Sequence, residues 1–327
     1  TLFYRTDIGD PAPPFYSAPN APVGVTVAYY LKKTIHRTPA EKKAHTSPVK
    51  IEIETRSGHV IYTGYGPAHS GIESFVWNLT YTGPRKMDFG HYWMSHGPKG
   101  FMGPSVVPGT YRIRVSAGGH VATTLARVVK DPRFHIPLAR YVAQRNAGLE
   151  LSSMITAMDT LLDRIHNMQG ELAAFRATVV RDPRLKGRFG AVLKSGTRLD
   201  HKLETLLTSV YNPKRQHNVP EGSLRNPVRL HQKIINTYTL VIGNYAQPIN
   251  HRIQRMIDHR RTEQEAALNR FNGLLATSIA RYNRLAYASK APPSWRPSTH
   301  HWIRDTLKHG PPGLFLSGLF GGRFFVP

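Results

Sequence analysis

Residues 103–133 divide this chain into two halves, and they read GPSVVPGTYRIRVSAGGHVATTLARVVKDPR. Before the glycine pair at 118–119, Tyr111, Ile113 and Val115 alternate with arginines, and β-branched residues again mix with polar ones from 121 to 129. This pattern predicts two strands joined by a tight turn, a β-hairpin. Beyond it the apolar period changes from two to about three and a half, which predicts helices. The hairpin therefore closes a β domain, and it contains no catalytic motif.

Several further short strands are predicted before the hairpin. The candidates are residues 23–31, 49–55, 60–63 and 71–81. In the second of them, Val49, Ile51 and Ile53 alternate with charged residues, as expected for a strand with one buried face. The polar stretch 32–48 between the first two strands is predicted to be a long loop. Together these strands predict an immunoglobulin-like antiparallel β-sandwich over residues 23–133.

After residue 133 the chain predicts four antiparallel helices. An apolar seam from Leu151 to Val179 advances in steps of three and four and predicts a first helix of about 40 residues. The predicted helix boundaries are Asp182-Pro183 between the first two helices, Asn212-Pro213 after the second, Asn226-Pro227 before the third, and Pro248 before the fourth. Short or medium connections between these helices predict an up-down four-helix bundle over residues 134–290.

The two ends of the chain differ from both halves. Residues 1–22 are rich in proline and predict an extended arm, while residues 291–327 combine a proline-rich segment with an apolar tail. The tail either folds back on the helices or inserts into a partner or a membrane interface. Its predicted partner-binding residues are Trp302, Leu314, Phe315, Leu316, Leu319, Phe320, Phe324 and Phe325. The expected fold class is thus α+β and multidomain, a sandwich followed by a bundle, with extended arms at both ends.

A long loop rich in Gly, Pro and aromatic residues lies between residues 83 and 108. Long loops on rigid scaffolds often bind partners, so Tyr92, Trp93, Phe101 and Met102 are predicted to form a contact surface. The loop also contains a histidine pair, His91 and His96. No cluster of carboxylates accompanies the pair in the sequence, so no metal is predicted.

The charge balance restricts the class of partner. Lys and Arg number 44 against 20 Asp and Glu, which gives a formal charge of +24. Such a chain favours nucleic acid, anionic lipid or an acidic protein face, although scattered cations also suit a generally basic, solvated surface. The absence of cysteine excludes disulfides and thiolate metal sites. No apolar run approaches the roughly 20 residues of a membrane-spanning helix.

The sequence does not predict an enzyme or a cofactor. It contains no glycine-rich phosphate loop, no nucleophile elbow and no His-Glu-x-x-His motif. The acidic residues of the predicted helices are interpreted as a solvated face or as members of ion pairs. These residues are Asp159, Asp163, Glu171, Asp200 and Glu204.

Three segments carry a resemblance to a known family. They are FVWNLTYTGP at 75–84, the stretch from Gly103-Pro104 to Val115, and VKDPR at 129–133. In order and spacing they resemble the C-terminal region of the large bacterial sortilin-like, BNR-repeat "glycosyl hydrolase" β-propeller proteins. That region is an immunoglobulin- or fibronectin-like module followed by helices, and the resemblance covers roughly residues 23–287. It implies an exported, cell-envelope protein. The propeller is missing, so no hydrolase residue is carried over.

The sequence therefore predicts a non-catalytic structural or accessory subunit. We expect it to dock on the exported, periplasmic face of a larger bacterial membrane complex, such as a respiratory or photosynthetic one, and to stabilise that complex through its arms and tail. It would be a peripheral protein with no transmembrane helix. The positive charge would face acidic lipid or protein. One alternative is a carbohydrate- or protein-binding module of a secreted propeller protein. A second is a basic nucleic-acid-binding protein, which the charge alone favours.

Overall fold

The computed structural model describes residues 23–89, 101–212, 227–243 and 248–291. The chain is α+β and divides into two compact units. The β unit consists of the described residues up to Thr80 together with Thr110–Arg127. The helical unit consists of Tyr81–Gly109 and the residues from Val128 onward, as far as they are described. The predicted proline arm and apolar tail lie outside the described residues.

The β unit contains two small antiparallel sheets. Its strands are β1 (Val25–Leu31), β2 (Val49–Glu54), β3 (Val60–Gly66), β4 (Gly71–Trp77), β5 (Gly109–Ala117) and β6 (His120–Val128). β1 pairs with β4, and the other four strands are ordered β3-β2-β5-β6. The region predicted to be a long loop contains the short helix α1 (Pro39–Lys43). The residue composition of this stretch did not indicate a helix. α1 begins with a capping box between Thr38 and Glu41.

Strand β2 lies at the centre of the larger sheet, and its alternation is confirmed. Val49, Ile51 and Ile53 are fully buried. On the opposite face, Glu52 and Glu54 lie directly across from arginines of β5. Glu52 Oε2 is 3.6 Å from Arg114 Nη1, and Glu54 Oε2 is 3.4 Å from Arg112 Nη1. Opposite charges in such cross-strand pairs favour this register.

The hairpin predicted within residues 103–133 is confirmed as β5 and β6. Its turn is made by Gly118 and Gly119, which both have positive φ angles of 55° and 83°. Two positive φ angles in succession are typical of the tight turns whose twist matches that of the flanking strands, and glycine adopts them without strain. β6 is the edge strand of its sheet, and most of its side chains are exposed on both faces.

The helical unit contains α2 (Leu138–Arg181), α3 (Pro183–Val210), α4 (Leu230–Ile242), α5 (His251–Leu274) and α6 (Ala280–Ala288), and the π-helical segment Leu275–Ile279 joins the last two. The predicted boundary at Asp182-Pro183 is confirmed, because an Asp182 side-chain oxygen accepts the Arg184 N–H at 2.9 Å and caps α3. α4 begins at Leu230, three residues after the predicted start at Pro227. No helix within the described ranges has the length and apolar composition that spanning a membrane requires.

The helices do not all run side by side along their length. α4 contacts the first half of α2, where Gln144 Nε2 donates to the Val241 carbonyl at 2.7 Å. α3 contacts the second half, where the rings of Phe175 and Phe189 lie 6.3 Å apart. α5 and α6 follow α2 in the same direction, because Gln264 bonds to the Met154 carbonyl and because Tyr282 and Leu172 both lie against Gly196. In these contacts, α3 and α4 lie one after the other along α2. This differs from the side-by-side arrangement of four helices expected from the sequence.

The segment Tyr81–Gly109 belongs with the helices. The predicted boundaries, 23–133 for the β domain and 134–290 for the helical domain, placed it in the β domain. Met87 and Phe101 of this segment are part of the apolar core of the helical unit. Side chains of a connection can pack against a distant element, and residue spacing along the chain does not reveal this.

Candidate functional site

The predicted partner-binding residues fall mostly outside the described ranges. Tyr92 and Trp93, the histidine pair His91 and His96, and the predicted contact residues of the C-terminal tail all lie there. Phe101 and Met102 are described. They lie on one of the two stems that flank residues 90–100, and these stems form the candidate site. We call residues 81–89 the first stem and residues 101–104 the second stem.

The two stems run beside each other. The Tyr81 N–H donates to the Pro104 carbonyl at 2.9 Å. A β-carbon on Gly83 would overlap the Phe101 carbonyl oxygen, and one on Gly103 would overlap the Tyr81 carbonyl oxygen. Only glycine permits so close an approach of two backbones. The loop is thus closed at its base.

The first stem is held on α2 by a buried carboxylate. Asp163 is almost fully buried, and its Oδ2 atom lies 2.5 Å from Nη1 of Arg85. Its other oxygen accepts the Asp88 N–H at 2.8 Å, and the Arg85 N–H donates to the Thr156 hydroxyl at 3.1 Å. A charged acceptor and two backbone donors fix the stem more firmly than neutral hydrogen bonds would.

Electrostatics strengthens this attachment. Burial by itself lowers the pKa of the Arg85 guanidinium, but its close ion pair with Asp163 raises that pKa above its ordinary value. The charges of Asp88 and Asp159 act in the same direction. Arg85 Nη2 also lies 2.9 Å from Asp88 Oδ2 within the stem itself. Arg85 therefore stays charged and links two carboxylates.

Aromatic packing holds the end of the first stem. The ring of Phe89 is stacked on His166 of α2, with centroids 4.0 Å apart and planes 9° apart, and it meets the edge of Tyr211 at 6.1 Å. Tyr211 in turn contacts His231 of α4, whose Nε2 atom lies 2.6 Å from Asp159 Oδ1. A chain of rings thus connects the stem to a buried Asp–His pair between α2 and α4.

The second stem is held by α4. Phe101, predicted to be a contact residue, is instead a core residue with 7% of its surface exposed, and it meets the ring of Tyr238 edge to face at 6.3 Å. The Tyr238 hydroxyl donates to the Met102 carbonyl at 2.7 Å, and burial raises the pKa of that phenol. Met102, the other predicted contact residue of this stem, is 58% exposed.

The sequence interpretation missed the buried carboxylates. Asp159 and Asp163 were interpreted with Glu171, Asp200 and Glu204 as a solvated face or as members of ion pairs; both do form ion pairs, but they are buried. Asp200 and Glu204 fit the interpretation, with partners Arg176 and Gln169. The available signal was position: Asp159 and Asp163 directly follow the seam residues Met158 and Leu162 on α2. A carboxylate beside an apolar seam needs an internal partner.

This network links the stems to the helices through paired groups. Its acidic and basic groups are paired with each other, and the described residues contain no group of three or more His, Cys, Asp or Glu side chains arranged to hold a metal ion. Asp159 and His231 lie in the interior, away from any substrate that approaches from solvent. The network can hold the stems in one position, which is the role its geometry supports.

The β unit has a separate open cleft of about 410 Å³ between α1 and the β5–β6 turn. Its charged groups already have partners, because Glu41 accepts from Thr38 and Lys50 lies 2.5 Å from Glu52. The remaining lining consists mainly of small, aliphatic and histidine side chains. Sugars are usually bound on larger aromatic faces, so the cleft does not favour the carbohydrate-binding alternative.

Comparisons of this chain with protein-family models, with curated proteins and with solved structures find no significant match.

Proposed function

We propose that this protein is a non-catalytic structural or accessory subunit, which docks through the segment between its two stems on a larger bacterial membrane complex. The expected location is the exported, periplasmic face of a complex such as a respiratory or photosynthetic one. The resemblance to the helical C-terminal regions of exported propeller proteins supports the location.

The observation that carries the proposal is the fixation of both stems. Asp163 holds the first through Arg85 and the Asp88 amide, and Tyr238 holds the second through Phe101 and the Met102 carbonyl. A loop on a rigid base loses less conformational freedom on binding than a free loop does, which increases affinity. The intervening segment contains Tyr92 and Trp93, the residue types that dominate binding energy in protein interfaces.

We further propose that the β unit is an immunoglobulin-like sandwich serving as a scaffold. Aromatic contacts between strands of the two sheets support this proposal. The rings of Tyr62 in β3 and Phe75 in β4 lie 6.3 Å apart, and Trp77 in β4 meets the edge of Tyr111 in β5 at 5.4 Å. Side chains from two facing sheets interdigitate in this way in sandwich cores.

The test is co-purification from native membranes. Tagged full-length protein and the variant Tyr92→Ala/Trp93→Ala would be compared for the set of chains that they retain. The matched control is Tyr30→Ala/Tyr65→Ala, which removes two exposed tyrosines from the β unit. We expect the control to retain the partner chains and the loop variant to lose them. Equal retention by both variants would exclude the loop as the docking site.

Deletion of residues 311–327 tests a second attachment. If the truncated protein still co-purifies with the same complex, the apolar tail is not its anchor. If the deletion variant loses the partner chains and the loop variant retains them, the tail and not the loop is the docking site.

A further inference from the structure

Three helix ends meet at one end of the helical unit. α2 ends at Arg181, α3 begins at Pro183, and α6 ends at Ala288. Their proximity follows from contacts, because Arg188 Nη2 of α3 lies 3.4 Å from the Ser289 carbonyl just after α6. Deeper in the unit, Tyr282 of α6 and Leu172 of α2 both lie against Gly196 of α3. These helix ends therefore form one continuous surface.

This surface is strongly basic. We call it the basic end, defined by the exposed residues Arg181, Arg184, Lys186, Arg188, Arg284 and Lys290. Within the described parts of the chain, none of these six forms a salt bridge. The adjacent carboxylate, Asp182, is occupied in capping α3. Most other described carboxylates already have cationic or hydrogen-bonding partners elsewhere, for example Glu150 with Arg261 and Asp200 with Arg176.

One of these cations lies where a helix disfavours it. Arg184 is in the first turn of α3, which contains no acidic residue. The N-terminus of a helix carries a partial positive charge, so a cation there is unfavourable, while Lys186 and Arg188 follow within the next turn. The cations at the start of α3 therefore do not arise from optimisation of that helix, and an external anion would compensate for them.

Exposed apolar groups lie beside the cations. Val180 is 63% exposed next to Arg181, and Tyr287 is 72% exposed. Tyr287 lies three residues after Arg284, on the same exposed face of α6. Tyrosine is enriched where protein meets the headgroup region of a bilayer, and long cationic side chains there reach the lipid phosphates.

We propose that the basic end rests on the surface of an anionic membrane, with its cations at lipid phosphates and with Val180 and Tyr287 in the headgroup region. The cations are complementary to anionic lipid, and Val180 and Tyr287 favour a bilayer over nucleic acid. Nucleic acid binds mainly through cations that contact its phosphates, and an exposed valine would add little to that binding. The inference deepens the proposed peripheral docking by assigning a lipid contact to described residues.

The experiment is co-sedimentation of the full chain with vesicles. One set contains phosphatidylcholine with one third phosphatidylglycerol, and the other contains phosphatidylcholine alone. The test variant is Arg184→Gln/Lys186→Gln/Arg284→Gln. The matched control is Arg140→Gln/Arg252→Gln/Arg255→Gln, which removes three exposed arginines near the starts of α2 and α5 that form no salt bridge with any described residue. Arg140 lies roughly 60 Å along α2 from the basic end, far beyond the screening length at physiological salt.

We expect the wild-type protein to bind the anionic vesicles and not the neutral ones. Each cation at the membrane surface contributes a similar increment to the binding free energy, so the loss of three cations should weaken binding by the test variant about 100-fold. The control should remain close to wild type, and both variants should keep the wild-type circular dichroism spectrum. Equal weakening of the two variants would overturn the proposal in favour of diffuse charge. Binding to random DNA without binding to anionic vesicles would also overturn it.

The apolar contribution has its own test. Val180→Ser/Tyr287→Ser should bind anionic vesicles at low salt, where charge dominates, and should lose the residual binding that the wild type keeps at high salt. Unchanged residual binding would contradict insertion of these two side chains. The loop variant Tyr92→Ala/Trp93→Ala should bind vesicles as the wild type does, so failure of loop docking and failure of lipid contact are distinguishable.

Discussion

Nε2 of His231 lies 2.6 Å from Oδ1 of Asp159, and both side chains are almost completely buried between α4 and α2. Burying two polar groups is unfavourable unless they satisfy each other. The pair thus fixes how α4 lies on α2, and through Tyr211 and Phe89 it supports the first stem. The role of this pair is to hold these elements in position.

Removing one member of this pair should destabilise the helical unit strongly. Asp159→Ala leaves His231 buried without this partner, and we expect a loss of about 3–5 kcal/mol in the free energy of unfolding. Asp200→Ala, which breaks the more exposed pair with Arg176 between α3 and α2, should cost less than about 1 kcal/mol. Denaturant unfolding of both variants measures the difference, and similar losses would contradict a special role for the buried pair.

The attachment of the first stem should be visible in hydrogen exchange. Asp163→Ala removes the acceptor of the Asp88 amide and the partner of Arg85, so exchange of that amide should accelerate at least about tenfold. Asp163→Asn keeps an acceptor oxygen and should restore part of the protection. Asp200→Ala, far from the stem in the α2–α3 pair, serves as the control. Unaltered protection in Asp163→Ala would show that the stem is held by other contacts.

The half-buried Glu171 predicts a pH-dependent stability. Burial raises the pKa of its carboxyl above the ordinary 4.5, and its charge, after burial itself, contributes to raising the pKa of Tyr282 to about 12. A raised folded-state pKa means that the folded protein binds the proton more tightly than the unfolded chain. The stabilising contribution is therefore full below the ordinary pKa and is lost as the pH rises through the raised value.

Glu171→Gln removes this ionisation. Relative to wild type, the variant should gain thermal stability as the pH rises from the ordinary pKa of 4.5 through the raised pKa of Glu171, and the gain should be constant above it. Thermal unfolding across this range measures it. Glu265→Gln on α5, where the carboxylate is exposed, should show a much smaller dependence. A constant difference between Glu171→Gln and wild type across the range would contradict burial of the charge.

Some of this architecture could be predicted from sequence because local rules decide it. The alternation of Val49, Ile51 and Ile53 fixes the buried face of β2, and Asp182 with Pro183 both ends α2 and caps α3. The stems could not be predicted, because their partners are distant along the chain. Asp88 is 75 residues from Asp163, and Met102 is 136 residues from Tyr238. Helical period indicates which face is inward, but it does not indicate which loop will cover it.

The contact between Gly83 and Phe101 gives the sharpest test of the closed loop base. Gly83→Ala would place a methyl group against the Phe101 carbonyl oxygen, so the two stems must separate, and we expect a loss of about 1–3 kcal/mol in the free energy of unfolding. Gly170→Ala is the matched control, because its site in the interior of α2 is open and alanine favours the helix by up to about 1 kcal/mol. The two substitutions are chemically identical, so stability changes of opposite sign would show that the backbone contact matters.

If the proposed docking depends on a fixed base, Gly83→Ala should also weaken co-purification with the partner complex, whereas Gly170→Ala should leave it unchanged. If the Gly83→Ala protein is destabilised but still retains the full set of partner chains, docking does not depend on the closed loop base.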